Sequence, residues 1–327
     1  VAILVTGGAG YVGSHCILAL LERREEIIIV DDLSTGTMEL VPPELPFYHG
    51  DIGDEKFLQK IFLNHQIEAV FHFAAKALVG ESMLDPANYF INNTAKTSQL
   101  LKTMTEYAIP YLIFSSSAAV YGEPRILPIP EEHPTLPQNP YGLSKLMTEQ
   151  MLQWFEQVHG LRWVALRYFN AAGADIQGRR GEIHDPESHL IPNVLKVASG
   201  EKKSLSILGN NYATADGTAI RDYIHVTDLA SAHSLAYESL QRGLPSGAYN
   251  LGNNRGYSIL EVVEKVEQIT GKKIAYQFEP ARAGDPSVLI ASAEKAKKEL
   301  GWQPRYSTLE RILEDAWKWQ QSQRKGE

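Results

Sequence analysis

The stretch that most constrains this chain is Thr6-Gly7-Gly8-Ala9-Gly10-Tyr11-Val12-Gly13, which satisfies both Gly-x-x-Gly-x-x-Gly and Gly-x-Gly-x-x-Gly spacing. It follows the short apolar run Val1 to Thr6 and precedes Ser14 to Leu21, where apolar residues recur at helical spacing, so the order reads strand, turn, helix. Gly7 permits a tight turn, Gly10 lets backbone approach a pyrophosphate, and Gly13 lets helix pack on strand. The helix N-terminus, at Tyr11 and Val12, offers free N–H donors and the positive end of a dipole.

Glycine spacing alone is a weak signal, and its neighbours give it weight. Asp31 closes a second apolar run 18 residues after Gly13, where a carboxylate can accept from both hydroxyls of an adenosine ribose. The following residues, Asp32-Leu33-Ser34-Thr35-Gly36, contain no arginine that could hold a 2'-phosphate, and the two aspartates would repel one. The cofactor is therefore read as NAD rather than NADP.

The strand–helix order repeats. Ile27 to Val30, Pro46 to His49, Ala69 to Phe73 and Tyr111 to Phe114 read as buried strands, with helices at Glu55 to His65 and Asn88 to Tyr107. Helix Tyr141 to Val158 and strand Trp163 to Phe169 follow. Alternation of this kind implies right-handed crossovers and a Rossmann-type, doubly wound parallel α/β sheet. From Asn170 to about Asp216 the chain becomes irregular and Gly/Pro-punctuated. We therefore expect an NAD-binding domain over 1–172 and a smaller C-terminal α/β substrate-binding domain over 173–327. Segments between 220 and 250 are left free to rejoin the first sheet. Helices are expected at Asp228 to Leu240, Ile259 to Thr270, Glu294 to Leu300 and Leu309 to Gln320.

Composition narrows the partners. A net charge of -8 argues against a nucleic-acid backbone, so any bound anion must meet a local cluster of cations. No apolar run approaches a membrane span and no segment resembles a signal peptide. Cys16 is the single cysteine, so internal disulfides are impossible and a cytoplasmic location is expected.

Tyr141-Gly142-Leu143-Ser144-Lys145 places a phenol and an ammonium four residues apart, on one helix face. With 15 tyrosines in the chain that spacing alone proves little. Ser115-Ser116-Ser117, however, ends the fifth strand at the carboxyl edge of the sheet, where parallel sheets place ligands. A free phenol titrates near pH 10, but the Lys145 cation and a positive nicotinamide ring would both favour phenolate. Tyr141 could then act as a base, Ser117 could hold a sugar hydroxyl, and Lys145 could also bind the nicotinamide ribose.

These residues resemble the extended short-chain dehydrogenase/reductase family and, within it, the UDP-glucose 4-epimerases. The resemblance runs almost end to end. It rests on the glycine loop, on His72-Phe73-Ala74-Ala75 with Val79-Gly80-Glu81-Ser82, and on Phe114 to Gly122. Pro140 to Lys145, Arg167-Tyr168-Phe169-Asn170, and Asp216-Gly217-Thr218 leading into Arg221 to Val226 complete it. It implies that Asp51 and Ile52 flank the adenine, and that Phe73, Ala74, Ala75 and Ser115 line the dinucleotide. It further implies that Asn92, Tyr168 and Phe169 approach the nicotinamide. Asn170, His189, Leu190, Leu208, Arg221, Arg282 and Asp285 would hold the UDP, with Leu289 in the sugar pocket. A bulky tyrosine stands at the Leu289 position in relatives restricted to plain hexoses, so Leu289 implies room for an N-acetyl group. The resemblance also implies a homodimer built through helices 88–107 and 141–158.

The implied activity is NAD-dependent inversion of carbon 4 of UDP-glucose and UDP-galactose through a transient 4-keto sugar. A lysine common in the family four residues after the Phe of His-Phe-Ala is absent, Ala77 standing there with Lys76 beside it. Three rivals share the scaffold. A 4,6-dehydratase would carry an Asp-Glu pair where Ala118 and Ala119 stand; a UDP-glucuronate epimerase or decarboxylase would differ in carboxylate recognition; a non-catalytic NAD sensor would tend to lose Tyr141 and Lys145. No metal is expected, because the spacing of His184, Asp185 and His189 fits no zinc pattern.

Overall fold

The computed structural model describes residues 1–281 and 285–325. Strands β1 (Ala2–Thr6), β2 (Glu26–Asp31), β3 (Phe47–His49), β4 (Ile67–His72), β5 (Tyr111–Ser117) and β6 (Arg162–Tyr168) alternate with helices. Those helices are α1 (Tyr11–Glu22), α2 (Glu55–Asn64), α3 (Val79–Leu84), α4 (Pro86–Tyr89), α5 (Lys96–Glu106) and α6 (Pro140–His159). The later elements are β7 (Asn170–Ala172), α7 (Leu190–Ser199), β8 (Leu205–Leu208), β9 (Ile220–His225), α8 (Val226–Gln241), β10 (Gly247–Leu251) and β11 (Gly256–Ser258). The chain closes with α9 (Ile259–Thr270), β12 (Tyr276–Glu279), β13 (Val288–Leu289), α10 (Glu294–Glu299) and α11 (Leu309–Lys325).

The main sheet has seven parallel strands in the order β10-β6-β5-β4-β1-β2-β3. Its strands read as continuous apolar runs because both faces are covered. In β1, Ile3 and Val5 pack with Cys16, Ile17 and Leu20 of α1 and with α8, while Ala2 and Leu4 pack with α2, α5 and α6 on the opposite face. Burial of each such Ile or Leu contributes about 1.5–3 kcal/mol. The order reverses between β1 and β4, which opens a crevice at their carboxyl ends.

The two segments left free by the sequence part company. β10 joins the main sheet beside β6, whereas β9 forms a smaller sheet with antiparallel β11 and parallel β13 and β7. A third core, on α7, α9 and α11, supports this second layer.

Two expectations are corrected. The helix expected over 88–107 is interrupted by a π-helical stretch, Phe90–Ala95. Its wider turn brings the Asn93 side chain onto the backbone N–H and C=O of Lys76, at 2.9 and 2.9 Å, and onto Ser144 Oγ at 3.0 Å. The region read as irregular after Asn170 contains α7, whose Ile191, Val194, Leu195 and Ala198 form a helical apolar stripe ending at Gly200 in the left-handed conformation. The periodicity was present in the sequence. Pro192, tolerated in a first helical turn, masks it.

Candidate active site

A cleft of about 1070 Å³ runs across the carboxyl edge of the main sheet and is closed on its far side by the second layer. Its cofactor end is fixed by close backbone approach. Gly7 has φ +73°, and a Cβ there would lie 2.5 Å from Ala74 N; one on Gly13 would lie 2.2 Å from Gly7 O. No side chain caps α1 at Gly10, so its first-turn N–H groups are left for a ligand, and a cradle suited to a pyrophosphate results.

Asp31 is buried at the end of β2 and accepts from Ala9 N and Leu33 N, each at 2.9 Å. Burial raises its pKa, and the two N–H groups oppose that rise. Spare lone pairs remain on both oxygens for ribose hydroxyls. Asp32 accepts from Ser34 N at 2.9 Å, and Gly36 packs on Ala9. Asp51 pairs with Lys96 at 2.6 Å beside buried Ile52. These groups fit an adenosine diphosphate. The Leu33 side chain packs against the sheet core, from a backbone at φ +56°.

Ser117 ends β5 and its hydroxyl accepts from Ala119 N at 3.2 Å. Tyr141 stands in the first turn of α6, set by the Asn139 cap and Pro140. Gly142 allows that turn to approach β5, since a Cβ there would lie 2.3 Å from Ala119 O. Lys145, one turn on, is buried, with Nζ 5.9 Å from the Tyr141 ring centroid and donating to Ser115 O at 2.7 Å.

The electrostatics set the balance at the phenol before a cofactor adds its charge. Burial raises Tyr141, and the Ser117 hydroxyl opposes the rise; Lys145 does not by itself hold a phenolate. Burial lowers Lys145 to about 7, opposed by Glu149. That carboxylate is already engaged: Arg167 grips both its oxygens, at 3.0 and 2.6 Å, and Ser116 Oγ donates at 2.5 Å. A lysine whose nearest counter-ion is spent elsewhere is held near neutrality, poised to gain or lose a proton.

The substrate end gathers residues far apart in sequence. Asn170 Nδ2 donates to Asp222 O at 2.8 Å. Arg221, on β9, donates to Asp285 at 2.5 Å and lies in register with Leu289 on β13. Leu289 packs on the cluster of Ala118, Val120, Tyr121, Phe169 and Ala291. His189 is the residue before α7, where no side chain caps the helix, and Leu190 begins it. Leu208 ends β8. The hydroxyl of Tyr168 is hydrogen-bonded to His233, and Asn92 donates to Asn93 at 3.2 Å.

Of the sequence-predicted residues, all reach this cleft except Leu33, and Arg282, which lies outside the described residues. The wall also includes His184, weighed in the sequence only as a metal ligand, and residues the sequence reading passed over, among them Lys96, Glu182, Glu187 and Asn193. Only the Glu-x-His repeat at 182–184 and 187–189 was a visible signal for any of these.

Residues 3–252 match the model of the NAD dependent epimerase/dehydratase family. The chain belongs to that family. Within it, the chain is 53% identical over 318 residues to the UDP-glucose 4-epimerase of Halalkalibacterium halodurans, covering 97% of this chain and 95% of the relative. It is 44% identical to that of Bacillus subtilis, covering 98% and 97%. Among solved members of the family, a Bifidobacterium longum UDP-glucose 4-epimerase in complex with NAD+ and UDP superimposes with a TM-score of 0.95 at 39% identity, covering 100% of each chain. The UDP-Glc/GlcNAc 4-epimerase of Campylobacter jejuni gives 0.84 at 38% identity, covering 98% and 99%.

Proposed function

We propose that this enzyme interconverts UDP-glucose and UDP-galactose by inverting carbon 4, with NAD as cofactor. The observation that carries the reading is that Ser117, Tyr141 and Lys145 stand on the same cleft as the glycine cradle and Asp31. NAD, when bound, supplies the hydride acceptor at carbon 4 and a positive charge beside the phenol. The glycine cradle and the residues from Asp31 to Gly36, Leu33 through its main chain, hold its adenosine half, with Asp51 and Ile52 at the adenine. Phe73, Ala74, Ala75, Asn92, Ser115, Lys145, Tyr168 and Phe169 hold the rest.

Tyr141 accepts the proton of the 4-hydroxyl and later returns it, while Ser117 donates a hydrogen bond to the same oxygen. Lys145 stabilises the phenolate once the added positive charge lowers it. Asn170, His189, Leu190, Leu208, Arg221, Arg282 and Asp285 hold the UDP. The sugar end is left loose, so that the ketone can present its other face. Ala118 and Ala119 line the cleft next to Ser117 and supply no acid or base for elimination of water, which disfavours a dehydratase. We assign 1–172, with returning α8 and β10, to cofactor binding and the remainder of 173–327 to UDP-sugar binding.

Two extensions follow from side chains. Leu289, smaller than tyrosine, leaves space at the sugar end, and UDP-N-acetylhexosamines fit as further substrates. Leu143, Met147, Trp154 and Val158 lie along one face of α6, at 39, 37, 64 and 65% exposure, with Ile91 at 59% on the adjoining helix. We assign this stripe to a homodimer interface. No helix among the described residues is long and apolar enough to cross a membrane. With Cys16 buried and unpaired, we place the enzyme in the cytoplasm. Incubation with UDP-galactose without added cofactor tests the activity: UDP-glucose should form, and NAD should be recovered on extraction. No conversion even with NAD supplied would refute the assignment.

A further inference from the structure

The segment Glu182-Ile183-His184-Asp185-Pro186-Glu187-Ser188-His189 contains two Glu-x-His arms. Residues two apart in extended backbone share a side, so each arm presents a carboxylate and an imidazole together. A bend at Asp185–Pro186 folds one arm back on the other. One ligand-capable atom from each of Glu182, His184, Glu187 and His189 then lies within 4.8 Å of the rest.

The separations are informative. His184 Nδ1 lies 3.1 Å from Glu182 and 3.8 Å from Glu187, and His189 Nδ1 lies 3.9 Å from Glu187. A tetrahedral ion with ligand bonds of about 2.1 Å sets its ligands roughly 3.4 Å apart. The fourth edge, Glu182 to His189, is in direct contact. Both carboxylate side chains are nearly excluded from water, at 6 and 4% exposure, and among the described residues neither is paired with a lysine or arginine. Buried carboxylates ordinarily require a cation, which here is either the protonated His184 and His189 that pair with them or an ion held by all four side chains. His184 Nδ1 is itself shielded from solvent and lies 3.1 Å from a Glu182 carboxylate oxygen, an approach that a shared proton or a metal ion would bridge. A nitrogen lone pair in such surroundings is suited to a metal.

We propose that Glu182, His184, Glu187 and His189 bind one divalent transition-metal ion of the zinc class. Two imidazoles and two carboxylates form an N₂O₂ set that favours zinc over the hard, oxygen-preferring calcium and magnesium. With four protein ligands the site is closed, and its role is structural rather than hydrolytic. The ion would pin the two arms together just before α7 and against Tyr11, whose ring centroid is 6.4 Å from that of His184. It would thereby fix the wall between the α1 cradle and Leu190. The proposal does not depend on the assigned activity.

The test uses the full chain without a histidine tag, dialysed against zinc and then against metal-free buffer, with metal content read by mass spectrometry. About one zinc per chain should be retained, and zinc should raise the melting temperature by several degrees. His184→Gln and Glu187→Gln, each shown by circular dichroism to be folded, should retain less than a tenth as much and lose the shift. Cobalt(II) should give the visible absorption of a tetrahedral site in the parent chain and not in these variants. No retained zinc in the parent chain, or equal retention by the variants, an adventitious ion only, would overturn the proposal.

Discussion

The two rims of the cleft are built on different plans. The cofactor rim rises from the carboxyl ends of adjacent parallel strands, and its groups lie within a few residues of one another in β1 with α1, at the end of β2, and in β5. The substrate rim is assembled from single positions, His189, Leu208, Arg221, Asp285 and Leu289, on short strands and a helix start. The first plan gives rigidity where hydride must travel a fixed path. The second gives tolerance where a 4-keto sugar must turn over while its nucleotide stays held.

The contrast is sharpest in the histidines. His15, His72 and His233 are buried in the cofactor half, and burial lowers them to about 4, 3 and 4, so they fold neutral. In the wall of the substrate half, with no metal ion bound, the Glu182 and Glu187 carboxylates raise His184 to about 9 despite burial. For the first group the unfolded chain takes up protons first, near pH 6.5, so stability present above that pH is lost as pH falls toward 4. Each of the three should withdraw about 3 kcal/mol by pH 4. Denaturant midpoints should therefore fall steeply between pH 6.5 and 4.5; a flat profile would erase the proposed difference between the halves.

Catalysis supplies the next largest effect. Tyr141→Phe should lower kcat by about 10²–10⁴-fold. KM for the UDP-sugar should change little, because the nucleotide is held at the other rim. A loss confined to KM would move the chemistry away from the cofactor rim. A smaller effect is expected across the cleft: Leu289→Tyr should cut turnover of UDP-GlcNAc about 10–100-fold while sparing UDP-galactose. An unchanged ratio between the two substrates would show that the sugar end is not set by this position.

What the sequence made legible follows the same division. Gly7, Gly13, Asp31, Ser117, Tyr141 and Lys145 belong to local patterns whose spacing encodes strand ends and a helix face, and the fold keeps all of them at one edge. Leu33 sits within such a pattern, but a left-handed backbone turns its side chain into the core, which the spacing does not report. Residues of the substrate rim were found through resemblance, since no spacing relates Leu208 to Arg221 or Leu289. The return of β10 to the main sheet was equally hidden, because an apolar strand carries no mark of its neighbour. At Glu182 to His189 local spacing does not report the meeting of the two arms, because a bend at Asp185–Pro186, rather than a helix or hairpin, brings them together. The charge state of Lys145 depends first on its burial and then on Glu149, tertiary surroundings that the Tyr141–Lys145 spacing does not report.

The central claim is that hydride leaves and returns to the same carbon within one enclosed site. UDP-galactose deuterated at carbon 4, mixed with unlabelled UDP-galactose carrying carbon-13 elsewhere in the sugar, tests it directly. The account predicts UDP-glucose in which deuterium stays at carbon 4 of its original molecule, with no transfer to the carbon-13 population and none to water. Deuterium appearing in the carbon-13 product, or released to solvent, would contradict it.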